Sequence, residues 1–157
     1  GFDPEEYAIA VAKEGSDELL ATINEVIAEL KADGSIVKFK EAHVGQGGKA
    51  PDFNVGAPGG KLVVGTEPTF PPYEYTQGKD IIGVDIDIMA VVAKKLDMEL
   101  QVENINFDGL IPAVMSGKIK AIAAGMTVNE ERMLNVSFSD PYTDAKQVVL
   151  IRKSSLK

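Results

Sequence analysis

The segment Ala123–Arg132 reads AAGMTVNEER and joins a buried strand to a charged turn. The small apolar residues before Gly125 are typical of a strand end, and Gly125 lets the backbone approach a ligand closely. Thr127 and Glu130 have the spacing of a capping box, which predicts that a helix begins at Thr127. Free N–H groups at a helix start and the two-pronged donor of Arg132 both suit a carboxylate. The plainer interpretation is a capped helix with a surface arginine.

The composition indicates one globular domain and excludes several classes of partner. The 157 residues are 45% hydrophobic and 25% charged, which is enough for a core. The net charge of −8 disfavours nucleic acid and gives no polybasic signal for a membrane surface. Without cysteine, and without a run of about 18 apolar residues, disulfides, cysteine-based metal sites and a membrane span are excluded. We expect no cofactor and no metal.

One strand and two helices are predicted before a glycine- and proline-rich linker at residues 45–60. Tyr7 to Lys13 is a short β-type run, and Ser16 is a favourable N-cap for a helix with an apolar stripe. Gly34 ends that helix, and Ile36 to Val44 forms a shorter one. A domain boundary at the linker is the competing interpretation, but these elements alone bury too little surface for a core.

Strand and helix patterns alternate after the linker. The predicted strands are Leu62 to Gly65, Leu100 to Ile105, Ala121 to Ala124 and Val148 to Ile151. The predicted helices contain Ile88 to Leu96 and Leu110 to Met115, the second ended by Gly117. This order implies parallel strands with right-handed crossovers. The predicted fold class is α/β, with a mixed sheet of about five strands flanked by helices.

Five motifs after the linker, taken in order, resemble a known family. They are Lys61–Thr66, Glu67–Tyr75, Gly83–Met89, Phe107–Val114 and Ser137–Tyr142, with the Ala123–Arg132 segment between the last two. This order is similar to that of the periplasmic amino-acid-binding proteins of ABC transporters, the type II solute-binding family. The resemblance implies a Rossmann-like lobe of a periplasmic binding protein, an amino acid as ligand, and a membrane permease as partner of the parent protein.

The chain departs from that family in length and in order. Members have two lobes and are considerably longer, whereas this chain stops soon after the hinge-like strand Gln147–Lys153. Tyr7–Lys13 resembles the family's returning hinge strand, and Ser16–Val44 resembles its closing helices. We therefore expect one circularly permuted, engineered lobe in which Tyr7–Lys13 pairs antiparallel with Gln147–Lys153. Its parts are residues 1–44 (the family's C-terminal segment), 45–60 (linker) and 61–157 (the family's N-terminal segment). A fusion boundary between tandem binding domains is the alternative.

The resemblance implies a site for an α-carboxylate at the carboxyl ends of the strands, where ligands bind in open α/β sheets. Arg132 and Thr127 would hold the carboxylate through their side chains and backbone, and Ala124 and Gly125 would contribute backbone groups.

Three further residues would surround the ligand side chain. By resemblance, Phe70 would stack on it, although a phenylalanine in a proline-rich loop also serves as an anchor. Phe107 would form a wall, with a hydrophobic staple before an Asp108 cap as the alternative. Glu67 would contact a polar or basic ligand side chain; the alternative is that it is a solvated acid of the loop.

The remaining polar and aromatic candidates have structural interpretations. Tyr73 and Tyr75 are expected to pack, and His43 lies on a polar helix end with no predicted role. Asp85 and Asp87 are interpreted as first-turn helix acids rather than metal ligands.

Three function classes remain open: an amino-acid-binding lobe, a dehydratase-like enzyme of the same fold, and a folding or evolution variant without affinity. Near the pocket, Glu67 is the one candidate acid or base, so we expect no enzyme. Because the second lobe is missing, we expect weak binding and a weak homodimer through an exposed cleft that includes Phe70, Phe107 and the hinge-strand edges. The parent is expected to be periplasmic or extracellular and lipid-anchored, and this chain soluble, without a signal peptide.

Overall fold

The computed structural model describes residues 6–44, 48 and 58–142. The strands are β1 (Tyr7–Ala12), β2 (Lys61–Thr66), β3 (Thr69–Phe70), β4 (Glu74–Gln77), β5 (Asp80–Ile82), β6 (Glu99–Asn104), β7 (Ala121–Thr127) and β8 (Val136–Phe138). The helices are α1 (Asp17–Ala32), α2 (Ser35–His43), α3 (Val84–Lys95), α4 (Phe107–Ser116) and α5 (Glu130–Met133).

The main sheet has five strands in the order β6-β2-β7-β1-β8. β2 is parallel to β6 and β7, whereas β1 is antiparallel to both β7 and β8. The prediction of a mixed sheet of about five strands flanked by helices is therefore confirmed. The strand from the start of the chain lies inside this sheet, and its residues Ala8–Val11 have no exposed surface.

The predicted partner of the first strand, Gln147–Lys153, lies outside the described residues, as does the predicted strand Val148–Ile151. Within the described residues, both neighbours of β1 are identified. β7 pairs with one side of it, and β8 pairs with the other. The expectation that the edge of this hinge-like strand is exposed is therefore wrong, because both of its sides are paired.

Helices cover the two faces of the sheet with separate hydrophobic clusters. On one face, Ile23 and Ile27 of α1 and Ile88 and Met89 of α3 pack with Ile9 of β1. On the other face, residues of α4 pack against Ala10, Ile122, Ala124 and Met126 of β1 and β7. Both clusters contain residues of β1, so the first segment of the chain contributes to the core on both faces of the sheet.

A second sheet has three strands in the order β3-β4-β5; its first part falls in Glu67–Tyr75, which was predicted as a proline-rich loop, and its last strand was not predicted. The strands have two to four residues, too short for a recognisable alternation of polar and apolar residues. β8, with three residues, was missed for the same reason. Gly34 and Gly117 follow helices as predicted, with left-handed φ angles of 79° and 86°. No helix within the described ranges is long and apolar enough to span a membrane.

Candidate ligand-binding site

A bulge in β7 shapes the backbone at the centre of the predicted site. Ala8 and Ala10 of β1 pair with Met126 and Ile122, so Ile9 alone faces Ala123, Ala124 and Gly125. Extra residues on one strand break the ladder and redirect the backbone there. Gly125 has a φ of 57°, in the left-handed region that glycine adopts at low cost. The bulge therefore directs the Gly125 N–H out of the sheet.

The Gly125 N–H donates a hydrogen bond of 2.6 Å to Oδ2 of Asp85. Asp85 lies in the first turn of α3 and is fully buried, as is Glu74 of β4. A Cβ atom added at Gly125 would lie 3.5 Å from Oε2 of Glu74. Two buried carboxyl groups therefore lie directly behind the Gly125 backbone.

Burial governs the acid–base behaviour of these carboxyl groups. Desolvation and the neighbouring Asp85 raise the pKa of Glu74 far above its ordinary value. Desolvation also raises the pKa of Asp85, while the neighbouring Glu74 carboxyl, the Tyr142 hydroxyl and the Gly125 N–H oppose that rise. Burial and the nearby Asp85 raise the pKa of the Tyr142 hydroxyl. Burial next to another acid therefore favours the protonated form of Glu74. The sequence interpretation of Asp85 as a first-turn helix acid was correct in position but missed this cluster.

The Phe70 ring packs against Gly125. A Cβ at Gly125 would lie 2.7 Å from the Phe70 ring, so only glycine allows this approach. The ring meets Tyr7 edge-on at a centroid distance of 5.6 Å and Tyr73 at 5.2 Å. Phe70 remains 38% exposed, so the ring is anchored and yet offers a surface for stacking. Tyr73 and Tyr75 are buried, as predicted for packing residues.

Arg132 is held against Phe107 and the end of β7. Its Nη1 donates a 2.7 Å hydrogen bond to the carbonyl oxygen of Thr127, and its guanidinium carbon lies 5.2 Å from the centroid of the Phe107 ring. Stacking on an aromatic face orients the planar guanidinium. These three predicted residues are therefore brought together.

The predicted helix start at Thr127 is wrong. Thr127 is the last residue of β7 and pairs with Tyr7, and the next N–H, of Val128, donates to the Glu6 carbonyl oxygen. Strand pairing with β1 thus keeps this backbone extended. Asn129 caps α5 instead, because its side chain accepts a 2.8 Å hydrogen bond from the Arg132 N–H. α5 has four residues, too few for the helix-dipole anion site that the capping box suggested.

A small cavity of about 230 Å³ lies beside the guanidinium. It is lined by Phe107, Asp108, Ile111, Met126, Glu131, Arg132 and Asn135. The predicted Asp108 cap is wrong, because the N-cap position of α4 is Asn106 and Phe107 is its first residue. Phe107 therefore does not precede a cap, and it lines this cavity.

The predicted site residues form two contact groups rather than one. Phe70, Ala124 and Gly125 belong to the first, and Phe107, Thr127 and Arg132 belong to the second. Glu67 follows β2, and its charge helps to raise the pKa of Glu74, which places it near the first group. The backbone of Gly125 to Thr127 in β7 connects the two groups.

The sequence interpretation missed a polar cluster made of His43, Tyr75 and Asp87, which we name the His43 cluster. His43 was predicted to lie on a polar helix end, but it is only 2% exposed. Its Nδ1 lies 2.8 Å from the Tyr75 hydroxyl and its Nε2 lies 2.7 Å from Oδ2 of Asp87. Burial raises the pKa of Asp87 to about 6 despite the hydrogen bond to His43. The cluster connects α2, β4 and α3.

A larger cavity, of about 460 Å³, lies at the opposite end of the sheet. Its lining includes Ala12, Leu62, Ile119 and Lys120, at the end of β1 and the start of β2 and β7. None of the predicted site residues reaches it. Because open α/β sheets bind ligands at the carboxyl ends of their parallel strands, the end with Gly125 and Arg132 is the candidate site.

Comparison with known proteins identifies the family of the larger part of the chain. Residues 62–157 match the bacterial extracellular solute-binding proteins, family 3. The chain belongs to this family. The predicted resemblance to the amino-acid-binding proteins of ABC transporters is therefore confirmed, whereas the permuted order stays a prediction. β1, α1 and α2 lie before the matched residues.

Two curated relatives of this solute-binding protein are named for arginine and histidine. It is 36% identical over 95 residues to the arginine-binding extracellular protein ArtP of Bacillus subtilis. The aligned region covers 60% of this chain and 37% of the relative. It is 40% identical over 94 residues to a probable histidine-binding protein of Campylobacter jejuni, with the same two coverages. The chain thus spans little more than a third of the length of these relatives.

The solved structures that resemble this chain are also amino-acid-binding proteins. The arginine-bound form of domain 1 from TmArgBP is 44% identical, with a TM-score of 0.53, and covers 54% of this chain and 68% of that one. An ancestral amino-acid-binding protein, described as a precursor of cyclohexadienyl dehydratase, is 36% identical with a TM-score of 0.51, covering 53% and 37%. Both proteins are named as binding proteins, and the second is described as the evolutionary precursor of an enzyme.

Proposed function

We propose that this chain is a single lobe of an amino-acid-binding protein, and that it binds the α-carboxylate of a free amino acid without catalysing a reaction. The observation that carries this proposal is the position of Arg132. Its guanidinium lies between the Phe107 ring and the Thr127 carbonyl at the carboxyl end of β7. A guanidinium has five N–H donors, and the contact with Thr127 uses one of them. The others can bind a carboxylate in a two-pronged manner.

The ligand side chain is proposed to be basic. The 38% exposed Phe70 ring offers a stacking surface, and Glu67 lies close enough to act electrostatically on the buried Glu74. The acids of this region and the net charge of −8 favour a cationic ligand over an anionic one. The curated relatives named above are arginine- and histidine-binding proteins, which supports the same class.

We also propose that the lobe is circularly permuted by engineering and comes from a two-lobed periplasmic or extracellular parent that delivers its ligand to a membrane permease. The position of β1 supports the permuted order. This strand precedes the residues matched to the family, yet it lies between β7 and β8. Its Tyr7 contacts Phe70, so the first segment also supports the candidate site. Tandem binding domains would instead place this segment in a unit of its own.

Binding by the lobe alone is expected to be weak. In a two-lobed parent, the second lobe would supply contacts to the ligand ammonium group. Hydrogen bonds to charged groups contribute about 1.5–3 kcal/mol each, so losing about two of them weakens binding roughly 10²- to 10⁴-fold. The arginine-bound structure of domain 1 from TmArgBP supports the idea that one lobe can hold an amino acid. We therefore expect a millimolar dissociation constant for arginine.

Calorimetry with a panel of small ligands tests this proposal. L-Arginine, L-lysine and L-histidine are expected to bind more tightly than L-alanine, and agmatine, which lacks the carboxylate, is expected not to bind. Arg132→Ala should weaken arginine binding by about 10- to 100-fold, because one charged hydrogen-bonding group is lost. Lys95→Ala is the matched control, since Lys95 pairs with Glu25 and Glu29, away from the site. Equal binding of agmatine and arginine, or turnover of any ligand, would contradict the proposal.

A further inference from the structure

Glu74 and Asp85, which we name the carboxyl pair, are buried behind the ligand-binding backbone with few partners. Neither side chain has exposed surface. Oδ2 of Asp85 accepts the Gly125 N–H, but both Glu74 oxygens and Oδ1 of Asp85 have no hydrogen-bond donor among the described residues. Two ionised carboxylates in contact repel each other and cannot share a hydrogen bond, whereas a pair with one proton can.

The groups that act on the carboxyl pair from the surrounding elements are two acids, one phenol and one backbone N–H. Glu67 after β2 acts on Glu74, and Asp87 of α3 acts on Asp85. The Tyr142 hydroxyl lies against Asp85, and the Gly125 N–H of β7 completes the set. Lys40 of α2 lies beside the neighbouring Tyr73, with its Nζ 5.9 Å from the centroid of that ring. No described cation contacts the pair, so a shared proton would remove one of its two negative charges.

We propose that Glu74 and Asp85 hold one proton between them and act as positioning residues, fixing the Ala124–Gly125 peptide of the ligand site. Glu74 carries the proton and donates it to Asp85, and the Asp85 carboxylate accepts the Gly125 N–H. For its ligand-dependent part, this inference rests on the proposed function.

The geometry of a trans peptide explains how the pair acts on the ligand. The N–H and C=O of one peptide unit point in opposite directions. When Asp85 accepts the Gly125 N–H, the carbonyl oxygen of Ala124 points away from α3 and cannot turn back. Gly125 is also held at its left-handed φ of 57°, with the Phe70 ring packed above it. An ionised Asp85 therefore orders both the backbone and the stacking ring before the ligand arrives.

The pair differs from an ordinary structural acid in its dependence on charge. If Asp85 merely fills space, asparagine of nearly the same shape should replace it without effect. If Asp85 positions Gly125 by its charge, asparagine should fail, because a neutral amide accepts a weaker hydrogen bond than a carboxylate does. Glutamine at Glu74 should succeed, because it mimics the protonated acid and can still donate to Asp85.

The Gly125 amide reports the pair directly, without a ligand. In ¹⁵N-labelled full-length chain, we expect its proton signal far downfield at neutral pH and shifting upfield as acid protonates Asp85. Asp85→Asn should move the signal upfield at neutral pH and remove its pH response. Glu74→Gln should leave the signal in place, and so should the control Asp87→Asn, which alters the neighbouring acid of the same helix turn. A Gly125 signal that ignores Asp85→Asn, or that Glu74→Gln displaces equally, would overturn the proposal.

The protonation of Glu74 is measured on the folded wild-type chain, so this arm does not depend on how well a variant folds. In ¹³C spectra of side-chain carboxyl groups, the Glu74 signal is the one missing from Glu74→Gln. We expect the chemical shift of a protonated acid at about pH 7, where an exposed glutamate is ionised. A carboxylate shift at that pH would overturn the proposal.

Titration with L-arginine tests the effect of the pair on binding. Asp85→Asn should weaken arginine binding about 10- to 100-fold, the effect expected for one charged hydrogen bond. Glu74→Gln and Asp87→Asn should change it by less than about threefold. If wild type binds no arginine, the proposed function fails, and the Gly125 and Glu74 signals still decide the proton pair. Equal arginine affinities of Asp85→Asn and wild type, with binding established, would overturn the positioning role.

Discussion

Asp85 and Asp87 lie in the same turn of α3, yet they belong to two differently built polar clusters. Asp87 meets His43, and both ring nitrogens of His43 have partners. Asp85 meets another acid, and most oxygens of that carboxyl pair have no donor among the described residues. A buried polar cluster with its hydrogen bonds satisfied stabilises a fold, whereas an incompletely satisfied one is costly and tends to mark a functional site. The first cluster therefore joins α2 to β4 and α3, and we infer that the second supports the proposed ligand site.

The largest effect is expected from breaking the His43 cluster. His43→Ala removes a buried ring and leaves the Tyr75 hydroxyl and Asp87 without it, so unfolding free energy should fall by about 2–4 kcal/mol. Chemical denaturation measures this change. The control Val37→Ala, at a 55% exposed position of the same helix, should cost less than about 0.5 kcal/mol. A loss below about 1 kcal/mol for His43→Ala would show that this cluster does not hold α2 to the lobe.

Replacing Glu74 of the carboxyl pair should raise the unfolding free energy, whereas replacing His43 lowers it. The folded state keeps the Glu74 proton above the ordinary pKa of 4.5, whereas the unfolded chain releases it. The folded state thus binds more protons, and the stability due to Glu74, complete below that pKa, is lost as pH rises. Glu74→Gln should therefore raise unfolding free energy by about 1–3 kcal/mol at pH 7 and have little effect near pH 4.

Denaturation of Glu74→Gln and wild type across that pH range checks the sign. Glu103→Gln is a suitable control, since Glu103 lies on the edge strand β6, outside the carboxyl pair. A variant less stable than wild type at neutral pH would mean that the Glu74 carboxylate is ionised and stabilising.

Arg132→Ala should separate binding from folding. The side chain makes one hydrogen bond and one cation–π contact at a partly exposed site, so its loss should lower unfolding free energy by about 0.5–1.5 kcal/mol. The same variant should lose most arginine affinity. A stability loss as large as that of His43→Ala would instead assign Arg132 to the fold.

The smallest effect concerns self-association through the exposed cleft. Phe70 is 38% exposed, and the charge of −8 opposes association by repulsion that salt screens. We expect a monomer at low concentration and a weak dimer at high concentration and salt, weakened by Phe70→Asp. Light scattering across both variables checks this. A chain that stays monomeric throughout, or a dimer unaffected by Phe70→Asp, would contradict it.

Sequence patterns predicted the elements whose signals are local. The apolar stripe of α1 and the glycines at 34 and 117 fixed helices to within a few residues. The alternation of strands and helices predicted the mixed sheet. The helix start at Thr127 failed because the distant strand β1 extends the backbone there, and a capping-box pattern contains no information about that partner.

The polar clusters could not be predicted from local pattern for a related reason. Glu74, between two tyrosines, and Asp85, at a helix start, are separately ordinary, and their contact depends on how β4 packs on α3. His43 on a charged helix end gave no sign of burial, since its partners come from β4 and α3. Phe70 and Arg132 were predicted from the family resemblance. Such a resemblance carries information about the tertiary fold that local patterns lack.

The central claim is that the carboxyl end of β7 binds an amino acid. It is tested most directly by amide NMR of the ¹⁵N-labelled chain titrated with L-arginine to well above the expected millimolar range. We predict saturable shifts at Gly125, Thr127 and Arg132, with little change at His43 and around the cavity near Lys120. Shifts confined to the cavity end of the sheet, or no shifts at saturating arginine, would contradict the account.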